Sequence, residues 1–196
     1  MSKNLKSTKI IGISPGTRYV GFAIFYGSEL RDWGVKNIEG RWSKEKQKRI
    51  MAFISSLTEQ HKPNALAIKK LHPSRSSPNL NRLVTKIKES AERKRLKVYQ
   101  HSIKEIESFF YPEGRINKRA LAEKVAEKYS VLSHELKREK TIMNPYYIRM
   151  FEAVALGSLC LYQLSFRSQR RLGVTEEQKD NKRARTSSHH KNHVKK

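Results

Sequence analysis

The chemistry this sequence can do is mostly that of cations facing phosphate. Between Lys69 and Lys97 there are 10 Lys/Arg against 2 Glu, the most basic stretch of the chain outside its end. Three polar points stand out against apolar surroundings. Ser14 ends the run Ile10, Ile11, Ile13 just before Pro15-Gly16, so its hydroxyl faces whatever lies over that strand's end. Lys69 and Lys70 end the short apolar run Ala65 to Ile68. Arg149 and Glu152 stand three apart in an apolar helical stretch, one turn apart on one face. Other chemistries find little support. His61, His72, His101 and His134 lack metal-ligand spacing and read as surface or cap residues, and His189, His190 and His193 cluster in the basic end. Cys160 is the single cysteine, which excludes an internal disulfide framework and a cysteine zinc cluster; its apolar setting implies a buried, inert thiol. Gly12 to Gly16 lacks the Lys-Ser end of a phosphate-cradling Walker loop.

The elements that must position these residues follow from period and punctuation. Lys9 to Ile24 reads as strand, tight turn and returning strand: proline fixes φ, and glycine takes a conformation that side chains forbid. A third antiparallel strand covers Leu30 to Ile38. From Ser43 the period changes, and Ile50, Phe53, Ile54 and Leu57 share a helical face that ends at Pro63. Ala65 to Ile68 is a buried fourth strand. A Ser/Pro-rich loop, Pro73 to Pro78, leads into a helix with Leu80, Leu83, Val84, Ile87 and Ala91 inward, and Val98 to His101 is a fifth strand. Helices follow at Ile103 to Phe110 and Asn117 to Tyr129, with a break at Tyr111 to Gly114. Ser130 to Ile142 is polar and charged, a helix with a loop. Asn144 and Pro145 have the residue types of an N-cap and first position for a last helix running to about Phe166. The expected class is α/β, with a mixed five-stranded sheet of three antiparallel strands and then two parallel ones, flanked by helices.

This order, and the hairpin Lys9 to Ile24, resemble the RuvC-type Holliday-junction resolvases of the RNase H-like superfamily over roughly Lys9 to Tyr162. The resemblance implies two metal ions held by four carboxylates, at the ends of strands one and four and as a pair three residues apart on the last helix. Ser14 stands where the family has the aspartate of Asp-Pro-Gly. Lys69 stands where Ala-Ile-Glu has its glutamate. Glu152-Ala153-Val154-Ala155-Leu156 resembles the family's Asp-Ala-Leu-Ala and puts Arg149 and Glu152 at the helical pair. Three of four carboxylates are thus replaced, two of them by cations, and the expectation is a cationic pocket for a nucleic-acid phosphate with no metal. The plain alternatives are a Ser14 that caps its turn, a solvated strand end at Lys69 and Lys70, and an intrahelical Arg149–Glu152 pair. Gly114 to Arg119 resembles the basic segment before the penultimate helix, which makes Lys118 the lysine near substrate, followed by Arg119. Arg18 lies at the rim, and Lys70, Arg75, Arg82 and Lys86 lie on the loop and helix that line the DNA groove in the family. Each of these has long-stemmed surface packing as its alternative.

The formal net charge of +24 over 196 residues is not confined to the end of the chain. From Arg167 onward there are 10 Lys/Arg and 3 Asp/Glu, leaving 32 and 15 on the body, so the body carries +17. A body so basic needs a polyanionic partner, because its self-repulsion is otherwise destabilising. Residues 9–166 form the expected domain, after a flexible start (1–8) and before a disordered basic tail (167–196) with few apolar residues. No apolar run approaches membrane-spanning length and no signal segment opens the chain, so an intracellular protein is expected, in cytoplasm or nucleoid, or in a nucleus or organelle. The reading is a nucleic-acid-binding protein, DNA favoured over RNA, without a membrane partner and without cleavage; a homodimer is implied by the resemblance alone. Two rivals remain. One is a magnesium-dependent nuclease with a rebuilt site using Asp32 or Glu29 with Glu152, the only case calling for Mg²⁺. The other is a basic scaffold in a ribonucleoprotein. Trp33, Trp42, Tyr146 and Tyr147 either stack on bases or pack on the core.

Overall fold

The computed structural model describes residues 8–72, 74, 76–142 and 146–167. Arg75, the Asn144-Pro145 pair expected to begin the last helix, most of residues 1–8 and the basic segment beyond 167 lie outside the described residues. The strands are β1 (Lys9–Ser14), β2 (Tyr19–Tyr26), β3 (Glu29–Asn37), β4 (Ala65–Lys69) and β5 (Lys97–His101). They form one sheet in the order β3-β2-β1-β4-β5, with β1–β2 and β2–β3 antiparallel and β1–β4 and β4–β5 parallel. The expected mixed sheet is therefore present. Its central strand, KIIGIS, is buried on both faces apart from Lys9, which is why it reads as a nearly unbroken apolar run.

Alternation along the strands divides the core into two layers. Ile11, Ile13, Val20, Ile24, Leu66 and Ile68 face α1 (Lys44–His61) and α2 (Pro78–Arg93), whose Ile50, Ile54, Leu57, Leu83 and Ile87 meet them. Ile10, Ala23, Phe25, Ala65 and Ala67 face the opposite layer. That layer holds α3 (Ile103–Phe110), α4 (Lys118–Lys128), α5 (Ser133–Ile142) and the last helix, α6 (146–167). The segment expected as helix and loop is a short 3-10 turn, Ser130–Leu132, that runs straight into α5. Side-chain caps set the helix starts: Ser43 accepts from the Lys46 N–H, Ser77 from Leu80, and Ser102 forms a capping box with Glu105. Among the described residues no helix is long and apolar enough to cross a membrane.

Two glycines let α6 lie directly on the sheet. A Cβ on Gly12 would strike the carbonyl oxygen of Ala153, and one on Gly21 would strike that of Arg149. These obstacles are backbone, which cannot rotate aside. Gly12→Ala is therefore expected to destabilise the domain toward the upper end of about 1–3 kcal/mol, read as a lower urea midpoint. An unchanged midpoint would show that α6 has room to lift.

Candidate functional site

Gly21 is the register partner of Ser14, so the close approach of α6 at Gly21 brings the helix onto Ser14 as well. Ser14 and Glu152, 138 residues apart in the chain, are both almost wholly buried, and the Ser14 hydroxyl donates to Glu152 Oε2 at 2.6 Å. Lys69 extends from the end of β4, one residue beyond the Ile13↔Ile68 pair, and its ammonium lies 3.1 Å from both carboxylate oxygens. Arg149, one turn before Glu152 on α6, donates from Nη1 to Oε2 at 3.2 Å. Lys118 reaches Oε1 at 3.5 Å from the first position of α4, where Asn117 caps the helix by accepting from the Arg119 and Ala120 N–H groups. The four positions carried over from the resemblance thus come together, and Lys118 joins them.

One carboxylate serves three cations. Side-chain exposure is 1% for Glu152, 16% for Lys69, 27% for Arg149 and 56% for Lys118, so the charge grades from a sealed carboxylate to open ammonium and guanidinium groups. Burial alone pushes the Glu152 carboxyl upward. Lys69, Arg149, the Ser14 hydroxyl and Lys118 together outweigh it and hold the group below the usual carboxylate range. Lys69 moves in its own unfavourable direction. Burial lowers it, Glu152 opposes that, and Arg149 and Lys118 lower it further. Both shifts hold together because the carboxylate sees three cations, whereas the Lys69 ammonium sees one anion and two cations. The intrahelical Arg149–Glu152 pair given as an alternative is present, and Glu152 is also the anion that Lys69 and Lys118 meet.

The donor set does not fit a divalent metal. A hydroxyl, two ammoniums and a guanidinium surround a single carboxylate, and Mg²⁺ would have to displace cations to reach it. Among the described residues no group of three or more His, Cys, Asp or Glu is placed to hold a metal ion. The carboxylates considered for a rebuilt site lie elsewhere: Asp32 pairs with His61 at 3.4 Å and Glu29 with Arg31 at 3.0 Å, both on β3. His61 is not a surface residue but a buried one, with Nδ1 3.3 Å from the Tyr26 hydroxyl. His101 is also buried, the register partner of Lys69 on β5, with neither ring nitrogen hydrogen-bonded among the described residues and its pKa lowered by burial. Cys160 is buried and its thiol is pushed up to about 12 by burial, an inert state.

The structure does not bring the other basic residues into this cluster, and Lys86 lies against α1, lining a groove with Met51, Ala52 and Ser55. Arg18, exposed, stacks its guanidinium 5.1 Å from the Tyr19 ring centroid. Lys70, Arg82, Lys86 and Arg119 are exposed; Arg82 and Lys86 stand one turn apart on α2, and Lys70 anchors its backbone N–H on the His101 carbonyl. Of the aromatic residues, Trp33 donates to Glu135 and the Tyr146 hydroxyl to the Val35 carbonyl, so both have intramolecular roles.

No family sequence profile matches the chain, and no curated protein sequence matches it either. Solved structures do. Thermus thermophilus RuvC, determined alone and in complex with a Holliday junction substrate, superposes with a TM-score of 0.62 in each case at 18% identity, over 81% of this chain and 96% of that one. Fowlpox virus resolvase in complex with Holliday junction DNA superposes with a TM-score of 0.51 at 14% identity, over 80% of this chain and 99% of that one. This chain therefore has the RuvC-like RNase H fold.

Proposed function

We propose that this protein binds structured or double-stranded DNA through its phosphates and does so without metal-dependent cleavage. Lysine and arginine side chains would supply the positive charge that ions supply in a two-metal nuclease. The observation that carries the reading is the imbalance at Glu152: three cations against one buried carboxylate leave an excess of two positive charges. Among the described residues, most of the donors of Arg149 and Lys118 also remain unused. Arg149 engages Glu152 through Nη1, and the more distant Lys118 ammonium has three hydrogens to give. A phosphate at this point would neutralise the excess. Lys70, next to Lys69 in the chain, and Arg119, next to Lys118, are exposed and add charge beside it, and the likeness to resolvases solved with junction DNA supports DNA over other polyanions.

Binding should be independent of Mg²⁺ and steeply dependent on salt. Each phosphate neutralised on B-DNA contributes about −0.9 to the slope of log K against log salt, so an interface using this site and its surroundings should give a slope steeper than about −3. Fluorescence anisotropy of a labelled four-way junction and a labelled duplex, titrated with and without a chelator, measures both properties. A slope near zero, or binding that requires Mg²⁺, overturns the reading. A strong preference for an RNA duplex over DNA would keep the cationic site and reject the DNA assignment.

A further inference from the structure

Thr17 and Arg18, three and four residues beyond Ser14, leave the cationic site and line a separate recess with Glu39, Gly40, Trp42 and Lys46. Its volume is about 540 Å³, within the range of small-molecule sites. The walls differ in character. One is the partly buried Trp42 indole, seated on the core beneath α1. Another is positive: Arg18 lies at the mouth and Lys46 within, only 3% exposed. Lys46 donates to the Gly40 carbonyl at 2.6 Å and has no carboxylate at ion-pair distance among the described residues. Arg49 takes the neighbouring Glu39 carbonyl at 3.3 Å, while the Glu39 carboxylate accepts from Asn37. Burial lowers the Lys46 pKa, and the charges of Arg49 and Arg18 lower it further, which marks a local excess of positive charge. The Gly40 carbonyl takes one of the three ammonium hydrogens, which leaves the others for an anion in the recess.

An aromatic face beside unneutralised cations is the chemistry of a nucleotide, with its ring against the indole and its phosphate against the cations. The recess also adjoins the first site. A Cβ on Gly16 would sit 3.6 Å from Arg149 Nε, so the turn that touches Arg149 on one side continues directly into Thr17 and Arg18. We propose that this recess takes one unpaired nucleotide of the bound nucleic acid, its base on Trp42 and its phosphate between Arg18 and Lys46. The inference rests on the nucleic-acid reading above.

The test compares a fully paired DNA duplex with the same duplex carrying a one-nucleotide bulge. A separate titration with adenosine 5′-monophosphate follows indole fluorescence. The wild-type protein should prefer the bulged duplex by at least about 5-fold, the lower end of base–aromatic stacking. That ratio should fall to about one in Trp42→Ala and persist in Trp42→Phe. Adenosine monophosphate should quench the indole saturably in the wild type and not in Arg18→Ala, a surface change that keeps the test open should Trp42→Ala fail to fold. A wild-type ratio of one, or a ratio untouched by Trp42→Ala, overturns the recess while duplex binding leaves the broader reading standing. If no duplex binds, the broader reading fails, and the mononucleotide decides the recess: saturable quenching retains it and none removes it.

Discussion

Glu152→Gln is expected to destabilise the domain by about 3–5 kcal/mol at neutral pH, the usual cost of removing one partner from a buried ionic cluster. The amide keeps the shape and can still accept from Ser14, but it leaves Lys69, Arg149 and Lys118 crowded together with no shared anion. Urea unfolding of the two proteins measures the gap, and its pH dependence identifies the cause. The Glu152 carboxyl is held below its ordinary range in the folded state. Its stabilisation is therefore complete above the unfolded-state pKa and is lost as pH falls through the folded-state pKa. The gap should be full at neutral pH and close in acid, below the ordinary carboxylate range. A gap that persists unchanged into acid would mean that the amide disturbs packing rather than charge. A neutral-pH gap under about 1 kcal/mol would mean that the cations do not depend on Glu152. Duplex DNA should also raise the melting temperature of the variant more than that of the wild type, because a phosphate can take over the lost charge.

The second large effect is a gain. Ser14→Asp, Lys69→Glu and Arg149→Asp made together would set three carboxylates around Glu152. Ser14, Lys69 and Arg149 all reach that residue within 3.2 Å. Four carboxylates at one point repel until a divalent ion neutralises them. Mn²⁺ or Mg²⁺ should then raise the melting temperature of the triple variant. An ion at a hundred times its dissociation constant stabilises by about 2.7 kcal/mol, or about 5–10 °C for a domain of this size. The wild type should not respond. Wild-type stabilisation by the same ions would refute the cationic reading of the site, and a folded triple variant indifferent to both ions would show that the four positions cannot share one ion.

The fold was legible because its signals are local. Pro15-Gly16 announces the hairpin and Pro63 ends a helix of visible period. Gly16 does not take the left-handed conformation expected of it; it is small because a Cβ there would strike the Tyr19 carbonyl. The convergence of Ser14, Lys69, Arg149 and Glu152 is a fact of topology, and only the resemblance to a known fold let the sequence anticipate it. What the sequence hid was pairing. Composition counts cations but cannot say that one buried carboxylate would be shared among three of them. Lys118 needed the Asn117 cap to aim it, and Lys46 looked like any lysine in a polar first turn until the Gly40 carbonyl was seen to hold its ammonium inside. The burial of His61 and His101 was equally hidden: His61 stands in the last turn of its helix, but its contacts with Asp32 and Tyr26 come from far along the chain. At the start of β3, by contrast, Glu29 and Arg31 are exposed as their charges imply, with Leu30 buried between them.

Because Glu152 is held in common, its neighbours are not free to vary one at a time. Ser14→Asp alone would press a second carboxylate against an oxygen now accepting a hydrogen bond at 2.6 Å, and Lys69→Glu alone would trade the least exposed cation for a third-party repulsion. Each of these single steps runs uphill, whereas the repulsion in the coordinated set is relieved once a divalent ion is bound. In a lineage that accumulates changes singly, such a cluster behaves as a ratchet. Changes at its open rim, at Lys118 and beyond, are far easier to make than the acquisition of an acidic centre.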